Sequence, residues 1–445
     1  MSDVLIKGGE IVDSGNIFKK DILISGKRIK KIDSEISIDP HYKLVDAKNK
    51  LLIPGLIDDQ VHFREPGLTH KGDFSSESKA AVAGGITSFI EMPNTIPQTI
   101  TKINLDHKYE IAKRSSWANY SFMFGGTNNN LTEIKSIDEN KIAGFKLFLG
   151  SSTGNMLVDD DLVLEKIFSS TSLPISVHCE DENIIKSNIK QFKLKYGDEI
   201  PIKCHPLIRS RESCIKSTKK AIRIAKKTGA KLHIFHLSTE EETNFFSNKL
   251  PLKDKKITSE VCVHHLWFDD SNYEKLGSKI KWNPAIKSER DRDALWDALN
   301  DDRIDIIASD HAPHTLFEKS QSYLKSPSGG PMVQHNLLAL LECYKRGKIK
   351  LEKIVEKACH NPAILYRIKD RGRLKENFFA DIVMIDLNSS TNVNFDNILY
   401  KCGWSPFEGF NFSSKIISTW INGQCAYRNG NFLQKPLVKP LEFMV

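Results

Sequence analysis

Hydrophobic and polar positions alternate along this chain in two different textures. At the amino end, short apolar stretches separated by turn signals run through 4–12 (VLIKGGEIV), 21–32 (DILISGKRIKKI) and 42–55 (YKLVDAKNKLLIPG). The same texture returns in 380–387 (ADIVMIDL), 414–430 (SKIISTWINGQCAYRNG) and 436–445 (PLVKPLEFMV). Short runs closed by SG, GG and NK predict strands of a small sheet. Neither end is long enough to bury a core alone, so residues 1–53 and 375–445 are expected to complete one composite β-sandwich domain. From 54 to 374 the texture changes to apolar runs of four to eight residues alternating with helical segments, the pattern of βα units around a parallel sheet.

Eight strand candidates fall in that middle section: LIPGLIDDQVH, ITSFIEM, YSFMFGG, IAGFKLFLG, PISVHCE, KLHIFHLS, ITSEVCVHH and IDIIASDHAP. The expected fold is therefore α/β, a (β/α)8 barrel of the TIM type. A doubly wound open sheet is the alternative, but no glycine-rich phosphate loop follows the first strand. The polar residues favour the barrel. Most candidates are apolar along their length and end in His, Lys, Asp or Asn, and in a barrel all those ends meet on one rim.

Composition narrows the class. The 445 residues are 40% hydrophobic and 27% charged, values of an ordinary globular protein. No apolar run approaches the roughly 20 residues that span a bilayer, and the amino terminus lacks the pattern of an export signal. The net charge of +8 is spread over amphipathic segments. Its densest run, 216–227 (KSTKKAIRIAKK), reads as the wet face of a helix, with Cys214, Thr218, Ala221, Ile222 and Ala225 inward and Gly229 as its C-cap. No nucleic-acid surface is expected. The eight cysteines form no CxxC pair, which fits reduced thiols in a cytoplasm.

Candidate chemistry sits at the strand ends. Period-two alternation puts Asp58, Gln60 and His62 on one face of the first strand, with Arg64 where it runs out. Lys146 lies among Phe145, Leu147 and Phe148, where a charge is costly. It is either a snorkelling lysine or a desolvated amine that takes up carbon dioxide to form a metal-bridging carbamate. Strands five, six and eight end at His178, His236 and Asp310. Imidazole, carboxylate and carbamate suit Zn²⁺. His233, three residues before His236, is expected to face the other side and pack against a helix, and His311 to support rather than ligate. His264 and His265 are adjacent, so at most one can face inward, and His70, His205 and His335 lie in loops. With metal bound, hydrolysis follows: water is acidified towards neutral pH, and Asp310 is placed to move its proton to a leaving nitrogen. Arg64 matches a substrate carboxylate, and Asn94 offers an amide to a ring. The combination points to hydrolysis, or its reverse, at a cyclic amide bearing a carboxylate.

At these residues the chain resembles the dihydroorotase family of the amidohydrolase superfamily. The resemblance is carried by PGLIDDQVHFREPGLTHKGD, AAVAGGITSFIEMPNT, GFKLFLGSSTGNM, SVHCEDE, LHIFHLST, KWNPAIK, ASDHAPHT and SPSGGP, in the family's order. It implies reversible closure of N-carbamoyl-L-aspartate to L-dihydroorotate in pyrimidine synthesis. By the same resemblance His62, carbamylated Lys146, His178, His236 and Asp310 hold one or two zinc ions, with Asp310 also the general base and acid. Arg64, Asn94, Asn283 and His314 hold the substrate, and residues 316–330 cover it. One position departs from the pattern: Gln60 stands where the family has the first histidine of His-x-His, and a neutral amide is a poorer zinc ligand. The first metal site then either fills through the remaining ligands or stays empty. Alternatives are a sister cyclic amidase of the hydantoinase, dihydropyrimidinase or allantoinase type, or a non-catalytic subunit scaffolding a partner such as aspartate carbamoyltransferase. A homodimer is the expected assembly.

Overall fold

The computed structural model describes residues 3–150 and 156–444. The SSTGN portion of the fourth-strand motif lies outside the described residues. Five strands open the chain: β1 (Val4–Asp13), β2 (Asn16–Ser25), β3 (Arg28–Asp33), β4 (Lys43–Asp46) and β5 (Leu51–Pro54). Eight more form the barrel: β6 (Leu56–Val61), β7 (Ile86–Glu91), β8 (Asn119–Gly125), β9 (Gly144–Phe148), β10 (Ile175–His178), β11 (Leu232–Ile234), β12 (Ile257–Cys262) and β13 (Ile306–Ala308). The chain closes with β14 (Ile382–Asp386), β15 (Thr391–Asn392), β16 (Asn411–Phe412), β17 (Lys415–Ile421), β18 (Gln424–Arg428) and β19 (Asn431–Phe432).

The eight middle strands pair in parallel and in chain order from β6 to β13. Between first and last, the Val61–His311 bridge, the His62 N–H to His311 C=O bond of 2.7 Å, and a Ser309 N–H donated to Asp58 Oδ1 nearly close the barrel. This is the expected TIM-type fold. Short strands with apolar residues on both faces are what such a barrel needs, since one face meets the surrounding helices and the other fills the interior. Ile57, Ile90, Met123 and Ile306, from four different strands, meet Phe235, just past the end of β11, in one interior cluster.

Strands from both ends form one sheet, in the order β19-β18-β17-β14-β5-β1-β2-β3, with β4 also on β1. Strand β14 runs antiparallel to β5 and so joins the two ends of the chain. Ile6, Ile22 and Leu52 from the amino end pack there with Ile382, Met384 and Trp420 from the carboxyl end. The final segment behaves differently from its strand-like texture. Pro440 bridges Tyr120, Phe443 bridges Ile368, and Leu441 and Phe443 join the barrel's interior cluster. Two prolines in PLVKP remove ladder donors, which limits that stretch to isolated bridges.

The basic run forms the helix Arg211–Thr228, with Cys214, Thr218, Ala221, Ile222 and Ala225 buried and Gly229 capping it at φ 75°. Lys220, Arg223 and Lys227 reach acidic residues of a neighbouring helix, Lys227 meeting Glu165 at 2.7 Å, so the face is a solvated, partly ion-paired one. No described helix is long and apolar enough to cross a membrane.

One ion pair ties the two chain ends together within the sheet. Lys50 Nζ meets Asp386 Oδ2 at 2.7 Å. Burial alone would raise the Asp386 carboxyl, but bonds from Lys50, Ser389 and the Asn388 N–H outweigh it and hold it at about 2, below the usual 3.8. A depressed folded-state value stabilises the fold above 3.8, and that contribution fades as pH falls towards 2. Asp386→Asn is expected to lower stability by about 1 kcal/mol at neutral pH. Denaturant titrations should show the wild-type advantage shrinking across that acidic window; a difference independent of pH would rule out the ion pair as its source.

Candidate active site

The strand-end residues converge on one cavity at the rim. His62, Lys146, His178, His236 and Asp310 line it together with Gln60, and Arg64, Asn94 and Asn283 complete its wall. His314 is the exception among the expected site residues. It is fully buried behind Arg64, 3.0 Å from the guanidinium Nη2.

Two of the three imidazoles, His178 and His62, have their orientation set by a neighbour. Strand β10 passes into the helix Glu182–Tyr196 within a few residues, because Asp181 caps that helix by accepting from the Ile184 N–H. The short link leaves Glu180 fully buried against His178, with Oε2 3.0 Å from Nε2. Burial would raise the Glu180 carboxyl, but the Arg209 guanidinium and His178 hold it down to about 2, so it stays ionised. An ionised partner on Nε2 fixes the proton there and turns the Nδ1 lone pair towards the cavity. Nδ1 of His178 lies 3.0 Å from Nε2 of His236. Two imidazoles sharing one tetrahedral zinc hold their nitrogens about 3.3 Å apart, so this pair fits a common metal. His62 follows the same logic. Its Nδ1 meets Asn94 Oδ1 at 2.8 Å, leaving Nε2 to face Asp310 Oδ1 at 3.4 Å.

Lys146 is 1% exposed, and its Nζ has no hydrogen-bond partner among the described residues. It sits 3.9 Å from the centre of the Phe235 ring and 4.9 Å from that of Phe148. The snorkelling alternative is excluded by this burial. Desolvation lowers the amine to about 7, with Glu260 and Asp310 resisting the shift, so a large neutral fraction exists at physiological pH. Asp310 moves the opposite way. Burial raises it to about 7, while the charges of Lys146, His178 and Arg64 pull it back. Arg64, His236 and Asp310 all adopt left-handed backbone angles, at φ 71°, 39° and 43°. For residues with a side chain such angles cost of order 1–3 kcal/mol each and cluster at functional sites.

The corner around Arg64 also has a definite polarity. Lys71 Nζ donates to His314 Nδ1 at 3.0 Å. An ammonium only donates, so the proton of neutral His314 sits on Nε2, which donates to Ser328 C=O at 3.0 Å. Arg64, anchored by Nε to Pro313 C=O, therefore meets another donor at Nη2. Among the described residues no carboxylate lies within ion-pair distance of Arg64. The segment that follows is pinned by two buried lysines. Lys319 donates to Pro327 and Gly329 carbonyls at 2.9 and 2.7 Å, and Lys281 donates to those of Tyr323 and Ser326.

Several positions differ from the sequence expectation or were absent from it. His233 does not pack against a helix. It points into the barrel towards Asp59 and Glu260, at 3.8 and 3.6 Å. Strand β11 ends at Ile234 and the chain turns at His236, so alternation cannot be extrapolated across the His-x-x-His spacing. Gln60 lines the cavity and its Oε1 receives Cys262 Sγ at 3.6 Å. His311 acts as the expected support, with Nε2 on Glu77 at 2.9 Å and Nδ1 accepting from the Met332 N–H. Glu180, Arg209, Lys71, Lys281 and Lys319 were not anticipated. Glu180 and Lys71 lie inside quoted motifs, but nothing in their spacing marks them as partners of His178 and His314. All eight cysteines are free thiols, seven of them buried.

An eight-stranded parallel barrel presenting imidazoles, a buried lysine and an aspartate on one rim cavity has the architecture of a metal-dependent amide hydrolase. The chain belongs to the amidohydrolase family, whose model matches residues 51–426. A dihydroorotase from Methanosphaera stadtmanae is 32% identical over 428 residues, covering 95% of this chain and 96% of that one. A dihydroorotase from Pyrococcus abyssi is also 32% identical, over 433 residues and 97% of both chains. Among solved structures, the L-hydantoinase (dihydropyrimidinase) from Arthrobacter aurescens superposes with a TM-score of 0.94 at 26% identity, covering 99% of this chain and all of that one.

Removing the orienting carboxylate should separate metal binding from folding. Glu180→Gln is expected to weaken divalent-metal retention ten- to a hundredfold. Metal content after dialysis against graded chelator, alongside circular dichroism, measures this. Unchanged retention would show that Glu180 does not set the His178 orientation.

Proposed function

We propose that this protein is a dihydroorotase, closing N-carbamoyl-L-aspartate to L-dihydroorotate with loss of water and running the reverse hydrolysis at the same site. The observation that carries the reading is the guanidinium of Arg64 on the cavity wall, which has no carboxylate within ion-pair distance among the described residues. A forked cationic donor with no carboxylate opposite it suits the α-carboxylate that distinguishes this substrate from uncharged cyclic amides. The dihydroorotase names of the sequence relatives support the same choice.

The donor set of His62, His178, His236, Asp310 and Lys146 fits one or two zinc ions, with Lys146 as a carbamate. That modification joins the neutral amine to carbon dioxide and releases one proton, and the lowered Lys146 value supplies the neutral amine. When bound, the metal supplies Lewis acidity and an acidified water. The chain's own residues do the rest. Arg64 fixes the carboxylate and hence the ring orientation. The unpartnered buried Oδ1 of Asn283 is positioned to accept from a ring N–H. Asp310, held by burial near neutrality, takes a proton during hydrolysis and returns it to the leaving nitrogen; in ring closure the order reverses. The pinned segment 316–330 presents Ser328 and Gly329 to the cavity and limits water entry.

The close superposition on a hydantoinase favours one competing reading, a hydrolase of uncharged cyclic amides. Arg64→Ala separates the two. For a dihydroorotase, kcat/KM for carbamoyl aspartate should fall at least a hundredfold, consistent with losing a charge-assisted contact of about 3 kcal/mol. Steady-state assays on carbamoyl aspartate, dihydroorotate and hydantoin decide it: hydantoin turnover insensitive to the substitution would replace the proposal with the alternative. Lys146→Ala should abolish turnover and regain part of it with added short-chain carboxylic acids. A fully active Lys146→Ala enzyme would exclude a carbamate role. Zinc content per chain, gel filtration and copurification test the remaining expectations of metal number, a homodimer and association with aspartate carbamoyltransferase.

A further inference from the structure

Beneath the catalytic cavity the barrel holds a second group of ionisable side chains that the proposed reaction does not use. Asp59 on β6, His233 on β11 and Glu260 on β12 are each fully buried, and their ligand atoms lie within 4.8 Å of one another. Neither oxygen of Asp59, nor Glu260 Oε2, nor His233 Nε2 has a hydrogen-bond partner among the described residues. Tyr366, whose hydroxyl meets Ser176 Oγ at 3.1 Å, borders the group with that hydroxyl near Asp59, without a hydrogen bond of normal geometry to it.

The orientation of His233 settles what these atoms present. Thr258 Oγ1 donates to Leu232 C=O at 3.2 Å and therefore accepts at its other side from His233 Nδ1, 2.9 Å away. That places the proton of the neutral ring on Nδ1 and leaves Nε2 a bare lone pair. This lone pair faces Asp59 Oδ2 at 3.8 Å and Glu260 Oε2 at 3.6 Å. Three acceptors thus point at one another inside a dry barrel, an arrangement that repels itself unless something positive lies between. A shared proton does not answer the geometry, because 3.6–3.8 Å is too long for a direct hydrogen bond. A divalent cation does. Ligands about 2.0–2.2 Å from a zinc-sized ion sit roughly 3.3–3.5 Å apart, within a few tenths of an ångström of these distances.

We propose that Asp59, His233 and Glu260 form a separate binding site for a zinc-class divalent cation, below and distinct from the catalytic cluster. One imidazole and two carboxylates are a donor set suited to such an ion. The site also touches the upper one through Glu260, whose Oε1 accepts from the His236 N–H at 3.3 Å. An ion on Oε2 would brace the backbone that carries a catalytic imidazole.

The test is anomalous diffraction above and below the zinc edge on crystals of the full-length protein soaked in Zn²⁺. The expected map has a peak about 2.0–2.2 Å from His233 Nε2 and from one oxygen each of Asp59 and Glu260, apart from any density at His178 and His236. In Asp59→Asn that lower peak should vanish while any peak at His178 and His236 stays, and zinc per folded chain should drop by one. A wild-type map without a peak among these three residues overturns the proposal, whatever the upper cluster holds. A lower peak that survives Asp59→Asn at full height overturns the assigned ligand set.

Discussion

The site depends on one costly placement, an amine carried by an interior strand into a space where no described residue accepts a hydrogen bond from it. Lys146 is buried on β9 between aromatic rings, and desolvation brings it close to neutrality. A charged lysine there is disfavoured, so the surroundings raise the share of the neutral, nucleophilic form. The other rim residues make sense around this constraint. Asp310 is pushed towards neutrality by the same dryness, and the imidazoles of His178 and His62 are turned by their outer partners so that lone pairs rather than N–H groups face inward. A rim of acceptors plus one uncharged amine suits a cation far better than any residue of the chain.

The scaffold holds this rim through elements remote from it. Capping by Asp181 fixes the turn that delivers Glu180 to His178, and contacts between β6 and the segment after β13 bring His62 and Asp310 together. Buried Lys281 and Lys319 pin the segment 316–330 by its carbonyls. Left-handed backbone at Arg64, His236 and Asp310 shows where the chain bends away from strand geometry to aim those side chains.

Much of this was legible in the sequence because it follows from period and position. Eight apolar runs with polar ends located the barrel and its rim, and the strand-like ends located the shared sheet. The inward stripe of the helix Arg211–Thr228 and its glycine cap followed from helical spacing. What escaped involves departures from regular geometry or partners distant in sequence. His233 was misplaced because a strand ends between it and His236. Lys71 could not be tied to His314, 243 residues away, nor Glu180 to Arg209 across 29 residues, since spacing carries no record of such contacts. The carboxyl-terminal segment looked like another strand, yet its prolines and its apolar Leu441 and Phe443 send it to the foot of the barrel.

The account rests on Lys146 reacting as an amine, and carbon-13 NMR of the metal-loaded protein equilibrated with ¹³C-bicarbonate tests that most directly. A carbamate resonance that is present in the wild type and absent from Lys146→Ala is the expected result. A wild-type spectrum with no carbamate carbon, from protein that turns over substrate under the same conditions, would contradict it.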